Sequence, residues 1–176
     1  MARVDVNQLD LLEAIVAHYR NDAATINLHA TRVILTSDPL SVRIPKGGDW
    51  WLAVSAGEGT FPQDLLTGGV VEQCTEDGSF QVTGYLRCHL DPTDSDEQTL
   101  IREARGLMEI KRKILKSMAG VDLQVGGNEC LRELITPRSS VAPRIMEVVG
   151  DDAGDENLRI ALVGVVFSLM FDWDLS

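Results

Sequence analysis

The sequence predicts an α+β fold, a mostly antiparallel sheet packed against two main helices and finishing in a long C-terminal strand. Three observations lead there. Apolar residues recur at three- and four-residue steps in two places, around Leu9 to Tyr19 and Leu100 to Met118, which is the period of a helix with one buried stripe. Strict alternation marks Phe80 to Leu90 as a half-buried strand. The stretch from Leu158 to Trp173 is apolar on both alternating faces, as in a strand covered from two sides. A chain of 176 residues has the length to bury one continuous core, so residues 1–176 are expected to form a single domain with an elaborated connection at about 121–150.

The first helix is expected from Asn7 to about Arg20, with Leu9, Leu12, Ile15, Val16 and Tyr19 on one stripe and Asp5 or Asn7 as N-cap. Arg32 to Leu35 and Ser41 to Ile44 read as short strands broken by Asp38-Pro39. Lys46-Gly47-Gly48-Asp49 is a turn signal, and Trp50 to Ser55 behind it has the aromatic and apolar content of a strand. Val70 to Cys74 and Phe80 to Leu90 flank Glu76-Asp77-Gly78-Ser79, whose Asp-Gly pair predicts a tight hairpin.

Ser95 with Gln98 three residues later is a capping box, and Asp94, Asp96 and Glu97 suit the positive end of a helix dipole. A long helix should follow, with Leu100, Ala104, Leu107, Met108, Leu115 and Met118 on its apolar stripe and Gly120 closing it. Beyond it, Gly126-Gly127, Pro137, Ser139-Ser140 and Pro143 punctuate short apolar pieces as in a connection. Ile145 to Val149 and Leu158 to Trp173, separated by an acidic stretch, form an expected terminal hairpin.

Chemistry is sparse in this pattern. Sixteen Lys and Arg against twenty-seven Asp and Glu give a charge of −11, which repels phosphate backbones, so no specific nucleic-acid binding is expected. The run Ile160 to Phe171 is shorter than a membrane span, and the N-terminal residues do not form a secretory signal. Three widely spaced cysteines without a CxxC suit free thiols and folding in a cytoplasm. His18, His29 and His89 fall in separate elements without metal-ligand spacing. Cys88 and His89 are adjacent in a strand and face opposite ways, so they form no nucleophile pair. The acidic runs at 91–97 and 151–156 lack the glycine and distal glutamate of a calcium loop, and no glycine pair continues into a phosphate-binding motif. No cofactor, metal or catalytic set is expected, and the chain reads as a subunit of an assembly and not as an enzyme.

Four residues are candidates for a subunit interface. Trp50 and Trp51 are neighbours in a strand and face opposite sides, so both are buried only if both faces of the sheet are covered. The cover for one is either a partner or the chain's own 57–66 loop. Arg138 and Arg144 lie in the proline-broken connection, where they are either partner-facing cations or solvated loop residues.

The order of elements resembles the tail terminator and tail completion proteins of tailed bacteriophages across nearly the whole chain. The segments that carry the resemblance are the opening helix with Leu-Leu-Glu-Ala at 11–14, the junction Leu90-Asp91-Pro92-Thr93-Asp94, and the closing Ile160 to Trp173. The resemblance implies a virion protein of the tail or neck, assembled in the host cytoplasm as a hexameric ring of identical subunits. It implies partners in the tail tube and the head connector, with DNA passing through the ring, and no catalytic residues. The 121–150 connection departs from shorter members. Within the same class stands another neck or tail completion subunit; outside it stands a cytoplasmic ligand-binding or enzymatic domain with a pocket between the 57–66 and 121–150 loops.

Overall fold

The computed structural model describes residues 7–40, 49–61, 73–89, 93, 95–125, 128–147 and 158–174. Helix α1, Gln8–Asn21, starts in a capping box: the Asn7 side chain accepts from the Asp10 amide at 2.9 Å, and the Asp10 carboxylate accepts from the Asn7 amide at 3.3 Å. Its buried stripe is Leu11, Leu12, Ile15, Val16 and Tyr19, while Leu9, expected on that stripe, is 54% exposed. A short helix α2, Ala23–Ile26, and a 3-10 turn, Ala30–Arg32, lead into strand β1, Val33–Leu35. The second strand expected there, at 41–44, lies outside the described residues.

Strand β2, Trp50–Ala56, forms where expected and runs parallel to β1, while residues 46–48 of the expected turn lie outside the described residues. The next element corrects the sequence reading. No hairpin forms at Asp77-Gly78; Gln73–His89 is one continuous 17-residue strand, β3. Its partner is the equally long β7, Leu158–Asp174, and Asp77 and Gly78 sit mid-ladder opposite Met170 and Leu169. A local turn preference is weak beside a long uninterrupted pairing, and Gly78 serves a different end there: a Cβ in its place would stand 3.2 Å from Phe171 Cε1.

Helix α3, Asp96–Met118, begins at the Ser95–Gln98 capping box and is followed by Gly120 in the left-handed region, φ +78. Its buried stripe is Leu107, Ile110, Ile114 and Met118; Met108, expected among them, is 46% exposed on the opposite side. A two-stranded hairpin, β4 Gln124–Val125 with β5 Asn128–Glu129, precedes β6, Thr136–Glu147. The expected terminal hairpin is therefore present, but its first arm starts nine residues before Ile145 and runs through Pro137 and Pro143. Those prolines are tolerated because β6 is an edge strand, with bulges at Pro137/Ser139 and Val141/Arg144.

The strands form one sheet in the order β1-β2-β3-β7-β6, parallel only between β1 and β2. Both main helices lie on one face, and the main core joins their stripes to Leu52, Val54, Phe80, Val82 and the series Ala161, Val163, Val165, Phe167, Leu169 and Phe171 of β7. Phe80 and Phe167 stack within it, centroids 5.2 Å apart. Each such fully buried side chain contributes about 1.5–3 kcal/mol, so this layer is the main source of stability. At the far end of the helices a polar junction ties them together. His18 Nε2 bonds the Ser117 carbonyl at 2.8 Å, the Tyr19 hydroxyl donates to the Ile114 carbonyl, and the Ser117 hydroxyl donates to Asp22 at 2.6 Å.

Candidate functional site

With the helices on one face, the opposite sheet face is buried at its Trp51 end, half-exposed toward Asp77, Ser168 and Met170, and bordered by the exposed edge strand β6. The register arranges that face in transverse rows. Trp51, Tyr85, Leu162 and Arg144 stand opposite one another across β2, β3, β7 and β6. The next row is Ala53, Thr83, Gly164 and Val141, and the one after holds Gln81, Val166 and Ser139. Towards the other end follow Ser79, Ser168 and Thr136, then Asp77 with Met170 and Thr75 with Asp172. The face thus grades from apolar and aromatic to polar along the strands.

The apolar end is a second, smaller core of Trp51, Ala53, Tyr85, Ile160 and Leu162. Trp51 lies flat on Tyr85, centroids 5.2 Å apart and planes within 5°, and the Tyr85 hydroxyl donates to the Pro39 carbonyl at 2.6 Å. Burial pushes the Tyr85 phenol well above its ordinary value, with the Arg144 charge a small opposing influence. The polar end carries an open depression of about 290 Å³ lined by Asp77, Glu133, Leu134, Thr136, Arg138 and Met170 among others. Arg132 and Thr75 close on Asp172 beside it, with Nε and Oγ1 at 2.6 and 2.7 Å from the same carboxylate oxygen.

The four candidate interface residues divide between these places. Trp51 is 2% exposed within the second core, covered in the monomer. Trp50 turns to the helix-bearing face, half-buried, with Lys113 Nζ 4.9 Å above its ring. Arg144 is exposed at the end of the Trp51 row, and Arg138, the extra residue of the first bulge, is exposed at the depression. The sheet therefore brings Trp51 and Arg144 onto one row and leaves Trp50 on the other side.

No protein-family model and no curated protein matches the chain. Among solved structures it is similar to a chain of the "Virion of native gene transfer agent (GTA) particle", with 18% identity over 92% of this chain and 94% of that one, at a TM-score of 0.42. A likeness of that degree decides nothing about activity or partners.

The residues weighed for chemistry occupy structural positions. Cys88 is buried in the main core with Sγ 3.4 Å from the Arg159 carbonyl, and His89 beside it is exposed. Burial, helped by Glu103, raises the Cys88 thiol; burial likewise raises that of Cys130, so neither is poised as a thiolate. His18 spans the two helices, and His29 caps the 3-10 turn. Among the described residues no three His, Cys, Asp or Glu side chains gather at metal-ligand distances, and no helix is long and apolar enough to cross a membrane. The depression at Asp77 and Glu133 was not legible in the sequence, because its residues come from β3, β6, β7 and the turn before β6. The one signal available was Leu134, an apolar residue in a polar connection, which is 53% exposed.

Proposed function

We propose that this chain is a structural subunit of a phage-like virion at the head–tail junction, working as a tail terminator does: a ring that caps the tail tube and offers the head connector a docking surface. The observation that carries the reading is the architecture itself. Two capped helices back one face of a five-stranded sheet, and the edge strand β6 with the half-exposed polar end of the other face remains for neighbours. The sequence resembles tail terminator and tail completion proteins in an order of helix, strand, hairpin, helix and terminal hairpin, an order the chain keeps except that the first hairpin is the single strand β3. A cyclic ring needs two different complementary patches on each subunit, and the polar end of the sheet face with β6 and the outer side of the helical layer are distinct in chemistry and lie on opposite sides. The strongly acidic balance suits a ring through which DNA passes without adhering.

The test is co-expression with a tail-tube protein from the same genome, read by electron microscopy. Tubes of finite length ending in a six-fold ring of this chain are the expected result. Tubes whose length and ends are indifferent to the chain overturn the reading.

A further inference from the structure

The outer side of α3 is an unusual surface for so acidic a chain. Between 101 and 118 lie six of the sixteen Lys and Arg (Arg102, Arg105, Lys111, Arg112, Lys113, Lys116) and only two of the twenty-seven acids, Glu103 and Glu109. That segment is +4, while the rest of the chain, ten cations against twenty-five acids, is −15. Ile101, Arg105, Met108, Arg112 and Lys116 fall at i, i+4, i+7, i+11 and i+15, one stripe opposite the buried one. All are exposed, Ile101 by 70% and Met108 by 46%. Helix dipole compensation accounts for cations in the last turn alone. It does not account for Arg105, or for two large apolar side chains interleaved with the cations.

On the other side of the molecule the depression of the sheet face has the converse character. Asp77 and Glu133 place carboxylates at it, Leu134 and Met170 supply apolar surface, and Arg138 is the one cation among its lining residues, while on α3 Glu109 is already paired with Arg112 at 3.8 Å. We propose that the α3 stripe of one copy docks at this depression on a second copy of the chain, in a head-to-tail contact. The interleaved Ile101 and Met108 decide between a protein and a nucleic-acid occupant: a phosphate backbone leaves them wet, whereas a protein surface that offers Leu134 and Met170 beside carboxylates covers them while pairing the cations. Since the two patches are different, the contact is heterologous and propagates from subunit to subunit. The inference deepens the ring reading and rests on it for the need to self-associate.

Charge reversal on the full-length chain tests it. Arg105→Glu with Arg112→Glu gives one variant, and Glu133→Arg, at an exposed site with little folding risk, gives the other; circular dichroism verifies that both fold. Sedimentation velocity at low salt should show the unaltered chain associating, with association falling as salt rises. Each variant alone should weaken self-association roughly tenfold or more, and an equimolar mixture should restore it, because each then meets an opposite charge. Association of either variant as strong as the unaltered chain's, or a mixture no better than its components, overturns the contact. So does a labelled DNA duplex whose binding is lost with the arginines while self-association is untouched. A chain that caps tail tubes yet ignores these reversals keeps the proposed function and loses this contact.

Discussion

Replacing Gly84 by alanine presses on the closest approach between helix and sheet. Gly84 lies in β3 between Leu52 of β2 and Val163 of β7, and a Cβ built there overlaps Ile110 Cγ2 of α3, with Ile114 Cδ1 at 3.4 Å. The methyl of Ile110 cannot swing aside, since a β-branched residue in a helix holds one χ1 well in about 90% of cases. The helix must lift, or Ile110 must leave its rotamer. Overpacking of this kind costs about 1–3 kcal/mol, a fall of roughly 2–12 °C in Tm for a chain of this size. Ile110→Ala alone empties a buried site and costs about 2–5 kcal/mol, but it also removes the obstructing methyl. The double variant should therefore be more stable than the sum of the two losses predicts by about 1 kcal/mol or more. The unfolded-state effect of removing a glycine, about 0.4–1 kcal/mol, enters both arms of the cycle and cancels. Urea unfolding of all four proteins measures the coupling. Additivity within about 0.3–0.5 kcal/mol would refute the close approach of α3 to β3 at this residue.

Three further outcomes follow from the same structure. Burial raises both tyrosines, Tyr19 with help from Asp22, so absorbance at the phenolate band should show no step near the ordinary value of about 10 while the protein is folded. Their contribution to stability is full below that value and is lost as pH climbs through the raised one, so ionisation should coincide with alkaline unfolding; a separate early step contradicts the packing. Asp22 is held below its usual range: burial pushes it up, but hydrogen bonds from Ser117 and Thr25 and the charge of His18 outweigh that. Its contribution is present above the unfolded value of about 3.9 and disappears as pH falls through the folded one. Ser117→Ala should thus cost about 1–2 kcal/mol near neutrality and less at acid pH, and a cost independent of pH rejects the bond. Amide exchange at Asp77 should be as slow as in the rest of β3, since its N–H donates to the Thr60 carbonyl at 2.9 Å and its carbonyl accepts from Thr60; fast exchange there would reinstate a turn.

Both helices were legible because what defines them is local. Asn7 with Asp10 and Ser95 with Gln98 are three residues apart, and the buried stripes repeat every turn. Individual positions were less so: Leu9 sits near its stripe's border, where packing decides which neighbour is inside, and Met108 lies one step round the helix from Leu107, on the exposed side. Asp77-Gly78 misled for the opposite reason. Its turn preference is a property of two residues, whereas the strand that absorbs them is defined by β7, far along the chain. β6 was concealed by Pro137 and Pro143, which read as loop until the strand is known to be an edge. Of the interface candidates, the opposed facing of Trp50 and Trp51 followed from strand geometry alone. That Arg144 shares a row with Trp51, or that Glu133 and Asp77 line one depression, depends on register across strands, which no local pattern encodes.

The β3–β7 pairing also governs how the chain reaches its fold. Its side-chain bonds join Thr75 to Asp172, 97 residues apart, and Cys88 to the Arg159 carbonyl, 71 residues apart. Every rung of the central ladder therefore closes a large loop before any enthalpy returns, which is the topology of slow folders. Until Leu158–Asp174 arrives, β3 is paired only through β2, and its other edge is open to any strand. The helices, with their local caps, and the β2–β3 pair can form without waiting. Subunit concentration during synthesis is consequently a hazard as well as a requirement, because strand exchange between nascent copies competes with the closure that makes each one a separate building block.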